Sequence, residues 1–443
     1  MTAGIVAWGT YLPDWRLDRK AIGAALGSPA GRGTRAVASY DEDTTTMAVE
    51  AGRRALGGAV PEDLFLSTPA PPYLDKTNAT AVHAALGLPQ ATAAFDLNGS
   101  VRSAWAALSA AALAGTRHPV LAIASDLRTG LAGGPDERDA GDGAVAFLFA
   151  PEGAAAEVIG HASATEEFLD RWRVPGEGDS HVWEERFGED VYVPLAHAAL
   201  TDALKDAGVA VDEVDHLVVA GLHARAVKAA TARSGVRSEA LAPDITGAVG
   251  NLGAAQAGVG LAGALERATP GQVIAVLLLA DGADAVVLRT TEALPGAQAR
   301  VAPTVAAQAA GGRAGLPYAT FLTWRGQLRR EPPRRPDPER PGAPVTHRSE
   351  LWKYGFNASR CLVCGFRHLP PTRVCLNCHA IDQMEPERLA EVGGTVATFT
   401  IDHLAFSLSP PVIGVIIDFD GGGRFRCELT DARPDELSIG DRV

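Results

Sequence analysis

Two Cys-x-x-Cys pairs, Cys361-Leu-Val-Cys364 and Cys375-Leu-Asn-Cys378, are separated by ten residues and supply four thiols at the spacing of a tetrahedral zinc site. A complete four-sulfur shell leaves no open coordination position, so the expected zinc is structural rather than catalytic; a disulfide or redox pair is the competing reading. His368 and His379 lie beside the cluster as outer or surface groups. The fifth cysteine, Cys427, falls in an expected strand, Phe425–Leu429, and reads as a small core residue. The first 360 residues contain no thiol.

A second set of residues suits electrostatic chemistry. His223 follows the end of an apolar strand, His216–Gly221, and Asn251 follows an Asp-Ile-Thr-Gly turn. A histidine and an asparagine at such loop positions can together donate hydrogen bonds to a thioester oxygen as it becomes an enolate. The competing reading is a satisfied structural histidine and a turn or cap asparagine.

The elements that would position these groups are repeated. Ala94–Gly115 reads as a strand end, a Gly-Ser turn and an alanine-rich helix, and Pro243–Ala264 repeats the order: Asp96-Leu97-Asn98-Gly99-Ser100-Val101 corresponds to Asp244-Ile245-Thr246-Gly247-Ala248-Val249. Gly141-Asp142-Gly143-Ala144 is likewise mirrored by Asp281-Gly282-Ala283-Asp284. Apolar strands at 5–10, 63–68, 119–126, 143–148, 216–221, 273–279 and 283–288 alternate with helical stretches at 17–26, 45–56, 79–86 and 194–208. The pattern predicts a duplicated α/β layered fold whose two helix starts meet at one centre. Asp41-Glu42-Asp43 reads as helix capping. The polar excursion 163–192 carries Glu167, Phe168, Asp170 and Trp172. Domain limits are expected at 1–160 and 161–292 for the two halves. A Pro/Arg-rich linker over 293–350, a zinc ribbon over 351–383 and a small β-barrel over 384–443 follow. The tract from Trp324 to Pro341 carries six arginines against three acids, which reads as an extended surface connection or as a phosphate-holding segment.

A net charge of −13 argues against a nucleic-acid or anionic-membrane partner. The N-terminal run lacks a basic leader, and no apolar stretch reaches membrane-spanning length, so a cytoplasmic location is expected.

These residues carry a resemblance. Thr10-Tyr11-Leu12-Pro13, Asp41-Glu42-Asp43, Pro72-Tyr73, Ser125-Asp126, Gly141-Asp142-Gly143, Phe187-Gly188, the His223 to Lys228 spacing and Gly250-Asn251 all fall in the order of the thiolase superfamily. The chain resembles its hydroxymethylglutaryl-CoA synthase and ketoacyl synthase III branch, fused to the zinc-ribbon and OB-fold module found with acyl-CoA enzymes. The resemblance implies a layered α/β/α/β/α fold, a CoA thioester substrate, a homodimer and, as a further partner, a thiolase-family protein. It makes His223 and Asn251 the catalytic pair and assigns Arg35 and Lys228 to CoA.

Two departures matter. The family's cysteine nucleophile falls at Val101, and the acid expected before Pro-Tyr falls near Pro69, where none is present. Valine cannot accept an acyl group, so an acyl-cysteine is impossible. Aldol or retro-aldol chemistry on a β-hydroxyacyl-CoA needs no covalent intermediate, and steroid side-chain retro-aldolases similarly pair a thiolase-like chain with this zinc-ribbon module. That reading uses His223 and Asn251 on the thioester and Tyr73 as candidate base. The alternatives are an acyltransferase using Ser100 or Ser103, and a non-catalytic acyl-CoA-binding scaffold.

Overall fold

A computed structural model describes residues 4–29, 31–334 and 342–443. It divides into two compact units, Met1–Val82 with Pro89–Arg325, and His83–Leu88 with Gly326–Val443.

The first unit is organised by one nine-stranded sheet: β1 (Gly4–Tyr11), β2 (Asp63–Ser67), β3 (Ala93–Asp96), β4 (Val120–Asp126), β5 (Gly143–Ala150), β6 (Ala156–Ala164), β7 (His216–Gly221), β8 (Val273–Leu279) and β9 (Ala283–Thr290). Their order is β7-β8-β9-β6-β1-β5-β4-β2-β3. The first half therefore runs β1-β5-β4-β2-β3. The second runs β6-β9-β8-β7, and Leu241 bridges β7 in parallel where the counterpart of β3 belongs. The two halves join where β1 meets β6, through Gly4 opposite Glu157 and Ile5 opposite Ala156. The repeat visible in the sequence is thus a repeat of topology.

Strand alternation explains the layers. Along β8, Ile274, Val276 and Leu278 enter the central core, while Val273, Ala275, Leu277 and Leu279 face the opposite way into a second core. The central core also takes Val101, Ala104 and Ala111 beside helix α3 (Arg102–Ala114), and Val259, Leu261 and Leu265 from helix α6 (Gln256–Arg267). Outside, α1 (Thr44–Leu56) covers the first half with Met47, Ala48 and Ala51. Helices α4 (Glu185–Ala207) and α5 (Ala224–Ala232) cover the second. Alanine dominates the helix faces, which lets helices and sheet approach closely.

Local chemistry sets several boundaries. Asp43 caps α1 by accepting the N–H groups of Thr45 and Thr46, both at 2.8 Å, as expected for that acidic run. The stretch read as one helix over 17–26 begins instead as a strand, Trp15–Asp18, paired with Thr34–Val37; Asp18 then caps a helix from Arg19 to Leu26. Helix α4 starts nine residues before Pro194, which sits inside it. The ring removes one backbone hydrogen bond, and the burial of Tyr192, Val193 and Ala196 on the sheet offsets that loss.

The linker begins later than the sequence implies. Leu316, Tyr318 and Phe321 are buried against Leu17, Ile22 and Val37. Arg325, at the head of the Pro/Arg tract, is paired with the fully buried Asp142. Residues 335–341 of that tract lie outside the described residues.

In the second unit, Asn357–Cys361 is flanked by Arg367–His368 and Met384–Arg388. A meander of Gly394–Asp402, Val412–Phe419 and Arg424–Glu428 follows, and the terminal residues return along its first strand through Gly394 to Val443 and Val396 to Asp441 hydrogen bonds, each 2.9 Å. Among the described residues no helix is long and apolar enough to cross a membrane.

Asp142 is the most constrained acid of the first unit, facing the guanidinium groups of both Arg35 and Arg325 at zero exposure. Removing its carboxylate in Asp142→Ala strands two buried cations, and the expected loss, read by urea unfolding, is about 3–5 kcal/mol.

Candidate functional site

The loop after β7 and the loop before α6 come together at Gly221. Asn251 donates its Nδ2 to the Gly221 carbonyl at 2.8 Å and accepts the Gly253 N–H on Oδ1 at 3.0 Å. His223 stands two residues beyond Gly221. The backbone of Asn251 is fixed by the first half: its N–H donates to the Asp139 carbonyl (2.8 Å) and its carbonyl accepts the Gly141 N–H (2.9 Å). Gly250 makes this approach possible, since at φ 81° its missing Cβ would lie 2.1 Å from the Ala140 carbonyl oxygen. Asp126, at the end of β4, accepts the Ala254 N–H at 2.9 Å. Burial pushes its carboxyl up to about 6, against the pull of Arg128.

His223 caps α5, and its Nδ1 accepts the Ala226 N–H at 3.1 Å. In the neutral imidazole that bond places the proton on Nε2, which is a donor. This Nε2 is buried and has no partner among the described residues. Close to it lies a second orphan, Oδ1 of Asp170, a residue 5% exposed. Gly188, in the first turn of α4, touches both: a Cβ there would sit 2.6 Å from His223 Nε2 and 2.6 Å from Asp170 Oδ1. Burial pushes the Asp170 carboxyl up, while His223 and Arg171 draw it down. Tyr192 closes one side, its ring centre 6.0 Å from that of His223 and edge-on to Phe168 at 4.9 Å.

Val101 stands at the head of α3, 6% exposed, in the same buried cluster as Val249, Leu252 and Ala254, which flank Asn251. The next residue, Arg102, donates to Asp284 at 2.8 and 3.1 Å and to the Asp281 carbonyl at 2.6 Å. The Asp281 N–H in turn donates to the Tyr192 hydroxyl at 3.2 Å. The start of the first-half helix is thereby tied to the tyrosine beside His223.

Other expected positions fall elsewhere. Arg35 does not face a ligand: it is fully buried and donates to the carbonyls of Glu137 and Arg128 and to Asp142. Burial lowers its pKa to about 10, opposed by Asp142. Lys228 lies exposed on α5, five residues past His223. Tyr73 is 60% exposed on the loop before α2 (Ala79–Leu86), with the Lys76 ammonium over its ring. Ser103 caps its own helix start by accepting the Ser100 N–H at 3.2 Å. Among the described residues neither Ser100 nor Ser103 is hydrogen-bonded to an imidazole or carboxylate. A cavity of about 460 Å³ opens between α4 and the turn at Arg233–Gly235, at the opposite end of α5 from His223. It carries no acid–base pair.

The four cysteine sulfurs lie within 4.8 Å of one another, with Cys361 to Cys378 at 3.6 Å and Cys364 to Cys375 at 3.5 Å. Tetrahedral zinc at a bond length of about 2.3 Å requires sulfur separations of about 3.8 Å, so the cluster fits the ion. The Asn377 side chain and the Phe366 N–H draw the Cys364 thiol down to about 6. Cys427 lies apart, half-buried in its strand.

Two measurements test these assignments. The purified chain should carry one zinc, and Cys361→Ser should lower that stoichiometry to well under one by elemental analysis. Asp126 binds its proton more tightly folded, at about 6, than unfolded, at about 3.9, so it costs nothing below pH ~4 and about 3 kcal/mol above pH ~6. Wild type should therefore lose stability from pH 4 to 7 relative to Asp126→Asn in paired urea titrations.

Residues 387–443 match the family described as ChsH2, C-terminal OB-fold domain. Among solved structures, PksG, a hydroxymethylglutaryl-CoA synthase from Bacillus subtilis, superposes with a TM-score of 0.64 at 18% identity, covering 74% of this chain and 89% of that one. The 3-oxoacyl-(acyl carrier protein) synthase III of Pseudomonas aeruginosa gives 0.59 at 20% identity, covering 66% and 99%. These similarities show the thiolase-like fold. The hydroxymethylglutaryl-CoA synthase of Aeropyrum pernix is 29% identical, over 68% of this chain and 89% of that protein. That of Caldivirga maquilingensis is 30% identical over 350 residues, 73% of this chain and 98% of that protein. With this likeness running through both half-domains, the chain belongs to the hydroxymethylglutaryl-CoA synthase family.

Proposed function

We propose that the chain makes or breaks a carbon–carbon bond at the enolate of a CoA thioester without forming an acyl-enzyme, acting as an aldolase on a β-hydroxyacyl-CoA. The observation that carries this reading is a combination. The imidazole Nε2–H of His223 is buried and uncommitted, while the position for a nucleophile is filled by a buried valine.

The donors available to a thioester oxygen are the His223 Nε2–H and the one amide hydrogen of Asn251 that Gly221 does not take. Donors fixed in advance in a dry site stabilise developing negative charge most strongly. An aldol reaction keeps the acyl group on CoA throughout, so Val101 is no obstacle. Exposed Phe95 on the edge strand β3 supports pairing with a second copy of the chain there. In this reading the ribbon holds zinc as a structural ion.

Family membership favours a second reading, acyl transfer of the condensing-enzyme type, with Ser100 or Ser103 in place of cysteine. The cap bond between these two residues and the lack of a base bonded to either among the described residues weigh against it.

Intact-mass spectrometry separates the two. Incubated with acyl-CoA, wild type should stay unmodified while releasing a carbonyl product from β-hydroxyacyl-CoA. Val101→Cys, with its thiol at a helix start, should gain an acyl adduct. His223→Ala should slow product release by about 100-fold or more. A stable wild-type adduct on either serine, or unchanged turnover in His223→Ala, overturns the aldolase reading.

A further inference from the structure

Two buried polar atoms lack a partner among the described residues and lie close to one another. His223 Nε2 and Asp170 Oδ1 each lie 2.6 Å from the point a Gly188 Cβ would occupy, so they stand at most twice that distance apart. No hydrogen bond or ion pair joins them. Leaving a buried carboxylate oxygen and a buried imidazole N–H both unsatisfied is costly. The two groups are also of opposite kind: Nε2–H donates, and an ionised carboxylate accepts.

A ligand that brought an acceptor to His223 Nε2–H and a donor to Asp170 Oδ1 would satisfy both groups at once. A β-hydroxyacyl thioester has such oxygens in a 1,3 relation, one an acceptor (the thioester carbonyl) and one a donor (the hydroxyl). The Tyr192 hydroxyl accepts the Asp281 N–H, and Arg171 pairs with Asp136. Glycine at position 188 lets the two groups approach, since any Cβ there would collide with both.

Resting on the aldolase reading, we infer that Asp170 is the acid–base group of the reaction, with the thioester oxygen held by His223 and the β-hydroxyl by Asp170. In the cleavage direction the Asp170 carboxylate takes the hydroxyl proton and the C3–O bond becomes a carbonyl. The C2–C3 electron pair passes into the thioester enolate, whose oxygen His223 holds. The proton then returns from Asp170 to C2, leaving an acyl-CoA and an aldehyde or ketone; no further reactant is needed. Asp170 thus takes the role first assigned to Tyr73, whose side chain is exposed on its loop.

The test compares 3-hydroxybutyryl-CoA with butyryl-CoA by calorimetry on the full chain. A hydrogen bond to a charged acceptor predicts about 10- to 100-fold tighter binding of the hydroxylated thioester. Asp170→Asn, which keeps the shape, should bring that preference to within a few-fold of unity and lower kcat by about 10²- to 10⁴-fold, with butyryl-CoA affinity unchanged. Equal binding of the two thioesters by wild type, or a preference retained in Asp170→Asn, overturns the assignment. If wild type shows the preference but turns over no β-hydroxyacyl-CoA, the aldolase reading fails and the hydroxyl site stands. If His223→Ala abolishes turnover while Asp170→Asn turns over normally, the aldolase reading stands and the role of Asp170 falls.

Discussion

The first unit depends on one fully buried carboxylate. Asp142 accepts from the guanidinium groups of Arg35 and Arg325 and from the backbone N–H groups of Ala38 and Arg128, the latter two at 2.8 Å. A carboxylate at zero exposure is tolerable only when its lone pairs are filled in this way. The residues that fill them come from three separate stretches: the Thr34–Val37 strand with the residue just after it, the loop following β4, and the end of the Tyr318–Trp324 helix. Asp142 thus fixes the base of the hairpin that opens β5. The neighbouring Ala140 and Gly141 form the surface on which the Asn251 backbone lies. The position of a site residue in the second half is therefore set by charge buried in the first.

Duplication explains why the chemistry gathers where it does. Each half sends the loop after its third strand toward the other: the first delivers Val101 and Arg102, the second Asn251. The turn opening β9 answers the one opening β5, with Asp284 receiving Arg102 much as Asp142 receives Arg35. The second half carries His223 and Asn251, and the first carries Val101 at the head of its helix.

Much of this was legible in the sequence because it is local. Apolar strands, the Asp43 cap, the repeated Asp-x-x-Gly segments and the paired Cys-x-x-Cys knuckles each depend on residues a few positions apart. His223 and Asn251 stand out in the sequence by their places at a strand end and a turn together with the family order of the residues around them. The partnership of Asp170 with His223 was not legible, since some fifty residues separate them and only a glycine on a third element brings them face to face. The fate of Arg35 was hidden for a similar reason. The resemblance assigns Arg35 to the ligand, and only the tertiary structure supplies the buried acid that claims it. The late start of the linker has the same cause, as Tyr318 and Phe321 find apolar partners three hundred residues upstream.

With Val101 in place of a sulfur nucleophile, every thiol of this protein resides in the second unit, four of them in one metal-sized cluster. Oxidants and alkylating agents, which disable cysteine-dependent condensing enzymes at the reacting atom itself, find no target beside His223. Thiol-directed damage is thereby confined to the second unit, which holds all five cysteines.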